Sequence, residues 1–294
     1  MLDTHKYIEV YSRQTRDKHD SPIFDETIFD SSKDVSNIFC EGKEDIFSQL
    51  DFFLKNREWY NRKGIPYTFG LLLHGLPGCG KTSMIKAIAN YCGRHIIIVP
   101  INKIKTCDEF SHVFFETTIN SKKIPMDKRI YVFEDIDAMS SIVHDRDVKN
   151  ASCDLSPEKN ESYDVLTPNM MHDIVKSAID RKKTFKVEPP QSNITLSHIL
   201  NLIDGIQEMP GRIIIITTNK IDVLDKALIR PGRVDACIEF KKCRAIDVKN
   251  ILEFFYEKSF ENSFKDNVFT TAEVYSIIRS SPTNPDKCLK ELTI

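Results

Sequence analysis

The sequence predicts an α/β fold: a five-stranded parallel sheet with flanking helices, followed by a small C-terminal helical lid. Three observations carry this. The runs FGLLLHG, HIIIVPI, RIYVF, RIIIITTN and CIEF are strand-length and mostly unalternating, as strands buried on both faces are. Helical patterns such as KTSMIKAIANYC and ITLSHILNLIDGI lie between them, and strands alternating with helices imply a parallel sheet. After Lys241 the pattern is helical to the end of the chain.

Taken in order, residues 1–38 are polar and read as an irregular segment with at most one or two short strands. From Phe39 to Tyr60 the pattern changes: Ile46, Leu50, Phe53 and Leu54 recur at helical spacing, so an amphipathic helix is expected. GIPY, Gly64 to Tyr67, breaks the chain before the first buried strand. A glycine-rich turn and a helix follow, then the second strand, a helix over Asp108 to Ile119, and the third strand. Residues 139–193 form a long insertion, largely polar and aperiodic, that regains helix at Thr167 to Ile179, where Pro168 suits a first helical position. ITLSHILNLIDGI resumes regular structure as a helix closed by Gly205. The expected organisation is therefore an N-terminal segment 1–38, a large α/β domain 39–241 carrying the insertion, and a lid 242–294.

The 294 residues suffice for one large or two modest domains. With a formal net charge of −2 and acids and bases intermixed, no basic stripe marks a nucleic-acid surface. No run of about 18 apolar residues exists to span a membrane. The N-terminus has no apolar signal core, and its mixed acids and bases do not support a mitochondrial presequence. Eight scattered cysteines without CxxC or Cys/His metal spacing fit reduced thiols, hence a soluble chain in a cytoplasm-like reducing compartment.

The chemistry starts at Gly75–Ser83, GLPGCGKTS, which matches G-x-x-x-x-G-K-[ST] between a predicted strand and a predicted helix. That context makes the fold that of a P-loop nucleoside triphosphatase. Gly75, Leu76, Pro77, Gly78, Cys79 and Gly80 would curl backbone N–H groups around phosphate oxygens, with Lys81, Thr82 and Ser83 opening the helix. Lys81 would reach the β- and γ-phosphates of ATP and Thr82 would place its hydroxyl on Mg²⁺. A chance glycine turn is the competing reading, and the flanking strand and helix argue against it.

RIYVFEDID ends a buried strand in carboxylates. Glu134 is assigned to the metal side and Asp135 to activation of the attacking water, against the alternative of an ordinary acidic turn. Asn219, ending RIIIITTN, could hold the lytic water or touch the γ-phosphate; Thr217, Thr218 and Asn219 could instead simply cap the next turn. Arg230 and Arg233 lie in ALIRPGRVD, stiffened by Pro231, without an obvious partner in their own pocket. Delivered from a neighbouring subunit, they would stabilise phosphoryl-transfer charge; otherwise they are solvated surface arginines. Cys79 occupies a variable loop position, His144 and His172 lack ligand spacing, Asn160 begins a glycosylation-like triplet, and Trp59 reads as a packing residue near the adenine pocket.

In this order the motifs resemble those of AAA ATPases. The segments WYNRKGIPYTFGLLLHGLPGCGKTSMIKAIA, VFEDIDA, ITLSHILNLIDGI and RIIIITTNKIDVLDKALIRPGRVD look like the Bcs-type branch, the mitochondrial chaperones that move the folded Rieske iron–sulfur protein. The Glu-Asp order of EDID is similar to that branch. The resemblance runs from about Phe39 to the C-terminus apart from the insertion, and TAEVYSIIRSSPTNPDKCLKEL looks like the branch's short lid. It implies a homo-oligomeric ring, Arg230 and Arg233 acting in trans, and a chaperone or translocase working on a protein client. The chain departs from the branch before residue 39, where family members carry a membrane helix and a specific folded domain. Two rival readings stay open: a slow nucleotide-dependent switch or scaffold, and a DNA-associated ATPase of clamp-loader type. No aromatic precedes Phe110 in INKIKTCDEF, so no pore residue is assigned.

Overall fold

Four strands buried on both faces and a half-buried edge strand form the heart of the molecule, and the four lie where apolar runs stand in the sequence. The computed structural model describes residues 6–12, 22–104, 106–139 and 194–293, which fall in one compact unit. The strands are β3 (Phe69–Gly75), β4 (His95–Ile98), β7 (Arg129–Phe133), β8 (Ile213–Thr218) and β9 (Ala236–Phe240), joined in parallel in the spatial order β4-β7-β8-β3-β9. Between β4 and β7 a short hairpin, β5 (Thr118–Ile119) and β6 (Lys122–Lys123), pairs only with itself.

The sheet does not stop at five strands. The N-terminal segment, expected to be largely irregular, supplies β1 (Lys6–Ser12), parallel to β4, and β2 (Pro22–Ile28), antiparallel to β1 at the edge. The reason is visible in YIEVY. Ile8 and Val10 alternate with polar neighbours, and beside β4 both become fully buried. That two-residue signal is too short to stand out among the surrounding charges.

Alternation then sorts the parallel strands onto two cores. On one face Leu72, Ile97, Tyr131, Ile214 and Ile216 join α4 (Cys107–Phe115) and α6 (Leu196–Asp204). On the other, Leu71, Leu73, Ile96, Ile130 and Ile215 meet α1 (Lys43–Lys55) and α3 (Lys81–Cys92). The predicted helical stripe holds in α1, where Ile46, Leu50 and Phe53 are buried. Asn56 then ends α1, and α2 (Arg57–Lys63) closes on Gly64 in the left-handed conformation. A one-turn helix, α5 (Ile136–Met139), follows β7.

Two helix ends differ from expectation. The helix expected over Asp108–Ile119 stops at Phe115, because Glu116 is extended and the next residues form the β5–β6 hairpin. Asn120 and Ser121 take positive φ to turn that hairpin. Gly205 ends α6 not with a left-handed cap but with φ −95° and ψ −179°. Glycine is required there by space: an added Cβ would lie 2.1 Å from the Asn201 carbonyl oxygen.

The C-terminal helices α7 (Ala245–Tyr256), α8 (Thr271–Ser280) and α9 (Pro285–Leu292) share a separate apolar cluster around Val248, Ile251, Leu252, Val274, Ile278 and Leu292. Thr270 caps α8 by accepting from the Glu273 N–H, and Glu273 reciprocates on the Thr270 N–H. The expected insertion, with the helix at 167–179, His144, Asn160 and His172, lies outside the described residues save for its first residue, Met139. Among the described residues no helix is long and apolar enough to cross a membrane.

Candidate active site

At the carboxyl end of β3 the chain must turn sharply and leave its amides free. Gly75, Gly78 and Gly80 take φ of 124°, 75° and 111°, which only glycine adopts without strain. Gly75 is doubly constrained. A Cβ there would sit 2.1 Å from the Phe240 carbonyl oxygen, the atom that also accepts the Leu76 N–H at 3.0 Å. Gly75→Ala is therefore expected to cost at least about 1–3 kcal/mol from backbone strain alone. Thermal unfolding should show it as a lowered Tm; an unchanged Tm would mean that the loop leaves this backbone conformation and β9 moves aside.

Gly80 caps α3 without any side-chain acceptor, so the first N–H groups of that helix stay available to an anion. The loop and this helix end line a cleft of about 320 Å³ with Asp135 and Asn219 opposite. Lys81 is buried within it. Its Nζ donates to the carbonyls of Gly75 (2.8 Å) and Leu76 (3.1 Å) and to Asn219 Oδ1 (2.7 Å). Burial pushes the Lys81 ammonium below its ordinary range, with Asp135 pulling the other way.

Asn219 is more than a turn cap. Its amide bridges the site, accepting from Lys81 and donating to Asp135 Oδ1 at 3.2 Å. The two threonines before it hold the carboxylate strand end: Thr217 Oγ1 accepts the Asp135 N–H at 2.8 Å, and Thr218 donates to Asp137 Oδ1 at 2.8 Å. Asp135 itself sits at φ +43°, a left-handed conformation held by these contacts. Polar side chains that follow β7 thus meet those at and after the end of β8 at the carboxyl ends of the strands, where open α/β sheets bind ligands.

Glu134 lies on the other side of α3's first turn, with Thr82 Oγ1 at 3.5 Å from its Oε1. Burial raises the Glu134 pKa, and neighbouring Asp135 raises it further, against the opposing hydrogen bond from Thr82. A carboxylate held up by burial and by a second carboxylate is relieved by a cation. A lysine held down by burial is relieved by an anion. The residues present therefore fit a magnesium-bound triphosphate: Thr82 and Glu134 would face the metal, Lys81 and the loop amides the phosphates. Among the described residues no group of three or more His, Cys, Asp or Glu could hold a metal by itself.

Arg230 and Arg233 do not line this cleft. They also differ from one another. Arg233 is tied to its own chain, donating to the Ala227 carbonyl at 2.5 Å and pairing with Asp204 at 3.5 Å. Arg230 is exposed and its guanidinium has no partner among the described residues.

Other residues join the site without a sequence signal that assigns them there. Thr271, Ala272 and Tyr275 of α8 line the cleft, and the Ala272 N–H donates to the Gly78 carbonyl at 3.0 Å. A neighbouring recess is lined by Ile38, Phe39, Phe240 and Tyr275. The capping pattern T-x-x-E at Thr270 marks where α8 begins, yet nothing local says that its end rests on the phosphate loop. Asp137 was legible as the last acid of EDID. Its role as acceptor for Thr218 and the Asn219 N–H was not. Cys79 is buried and desolvation raises its pKa, in keeping with an inert thiol. Trp59 packs edge-on against Phe52 and Tyr60, and lines neither the cleft nor the recess.

Comparison with known proteins adds an independent line. The family model "ATPase family associated with various cellular activities (AAA)" matches residues 71–167 and 169–242. The chain is 30% identical over 268 residues to the probable mitochondrial chaperone BCS1-B of Dictyostelium discoideum, covering 87% of this chain and 54% of that protein. It is 32% identical over 263 residues to an AAA-ATPase of Arabidopsis thaliana, covering 86% and 45%. A putative AAA family ATPase, L572, of Acanthamoeba polyphaga mimivirus is 35% identical over 214 residues, covering 71% of this chain and all of that protein. The chain thus spans about half the length of the first two relatives.

Proposed function

The chain belongs to the AAA ATPase family, in its Bcs-type branch, and from that membership we propose that it hydrolyses ATP with Mg²⁺ as a ring-forming homo-oligomer that remodels or translocates a protein client. One observation carries the reading: the hydrogen-bonded series Lys81–Asn219–Asp135 across the cleft, with the Thr82–Glu134 pair beside it. Lys81 binds and orients the terminal phosphates, and Asn219 keeps both Lys81 and Asp135 in place. Asp135, reaching into the cleft, takes a proton from the attacking water. Mg²⁺, when bound, neutralises charge on the phosphate oxygens, and Thr82 and Glu134 are the residues that would face it.

Arg230 supports the ring. An exposed guanidinium on a stiff turn, outside its own chain's cleft, serves phosphoryl transfer only from a neighbouring subunit. ATP turnover per subunit should therefore rise with protein concentration in step with assembly, with mass followed in parallel by sedimentation. A rate that stays flat from monomer to oligomer would remove the shared site and favour a slow nucleotide switch acting through a partner.

A further inference from the structure

A second cleft, of about 360 Å³, shares Thr82 with the nucleotide cleft and includes Glu134 at that end. Its floor is apolar, from Ile85, Ile96 and Ile98, and its far wall is the end of the β1–β2 hairpin. There Ile28, 73% exposed, is a large aliphatic side chain with nothing of the described chain over it. Asp30 and Glu134 set two carboxylates against one base, Lys86, so the lining favours a cation. The nucleotide cleft is flanked by Thr271, Ala272 and Tyr275 of α8, whereas this second cleft has no residue of the C-terminal helices in its lining.

The matching element is the turn that carries Arg230. The Arg233 and Val234 N–H groups both donate to the Arg230 carbonyl at 3.1 Å, and Gly232 takes φ +90°. The anchored Arg233 side chain fixes the turn to the body of the protein. Arg230, Pro231 and Gly232 are exposed at its tip, and Ile229 is half-buried behind them. A rigid tip loses little conformational freedom on docking, and its unpaired cation complements the acidic lining.

We propose that the 229–232 tip of one subunit seats in this second cleft of the next, covering Ile28 and delivering Arg230 at the Thr82–Glu134 end. The hairpin formed by the N-terminal strands is then part of the subunit interface and the wall that guides the arginine. This rests on the proposed action of Arg230 in trans.

The experiment compares Ile28→Arg, Ile28→Glu and Arg230→Ala for oligomer mass and ATP turnover, alone and mixed in equal amounts. Ile28→Arg sets like charges together and should weaken assembly by about a hundredfold, while Ile28→Glu, which keeps the acidic sign, should lose much less. Mixing Ile28→Arg with Arg230→Ala should restore turnover. Some junctions then join the natural tip of the first variant to the natural cleft of the second. Normal assembly and turnover of Ile28→Arg, equal losses in both Ile28 variants, or no recovery on mixing would overturn the docking. If Arg230→Ala itself turns over ATP normally, the trans-acting arginine fails. If Arg230→Ala is inactive while Ile28→Arg is normal, only the docking cleft fails.

Discussion

Arg230→Ala is expected to lower ATP turnover by about 10³- to 10⁵-fold, the range for arginines supplied across an interface to a phosphoryl-transfer site. Stability should hardly change. The side chain is exposed and without a partner among the described residues, and such surface substitutions stay within about 0.5 kcal/mol. Arg233→Ala should behave in the opposite way. It removes the bond to the Ala227 carbonyl and the pairing with Asp204, contacts that hold the turn, and hydrogen bonds from a charged group are worth about 1.5–3 kcal/mol. Turnover and Tm measured on both variants separate the roles. A stable, inactive Arg233→Ala beside a normal Arg230→Ala would reverse them.

The second large effect is expected at the two acids. Asp135→Asn should cut turnover by about 10²- to 10⁴-fold with ATP binding retained, the span for loss of a positioned general base. The substitution is unusually clean. Asn tolerates the left-handed backbone found at φ +43° and keeps an Oδ1 acceptor for the Asn219 amide, so chiefly the charge is lost. Glu134→Gln should instead raise the Mg²⁺ concentration needed for half-maximal turnover.

Its stability effect has a definite sign. The folded-state pKa of Glu134 is raised, so the contribution of this group to stability is fully present below its unfolded pKa and is lost as pH rises through the folded value. Above the folded-state pKa the ionised carboxylate is a liability, and there Glu134→Gln should be at least as stable as the natural protein. Normal turnover in Asp135→Asn with a dead Glu134→Gln would exchange the two assignments.

Four of the parallel strands were legible because strands buried on both faces must be apolar throughout, whereas the edge strand β9 shows only the alternation of a half-buried one. The phosphate loop was legible for a related reason: glycines at φ of 75° to 124° leave a spacing that few other structures need. The N-terminal strands were not legible to the same degree. Their burial depends on β4 lying alongside, and only Ile8 and Val10 record it. Gly205 shows a different limit, since its local pattern announces a helix end but the crowding by the Asn201 carbonyl depends on the path the chain takes afterwards.

By itself, then, the sequence determined the elements, the phosphate loop and the acids at the strand end. Each of these is specified within about ten neighbouring residues by periodicity, backbone freedom or residue chemistry. Only the tertiary structure decided which groups meet. It joined Lys81 to Asn219 across 138 positions, rested the α8 end on the phosphate loop, and placed the β1–β2 hairpin beside Glu134. It also distinguished Arg230 from Arg233, three residues apart and alike in sequence, because only one of them finds Asp204 and the Ala227 carbonyl within reach. Such partnerships come from the packing of distant segments, and no local pattern encodes them.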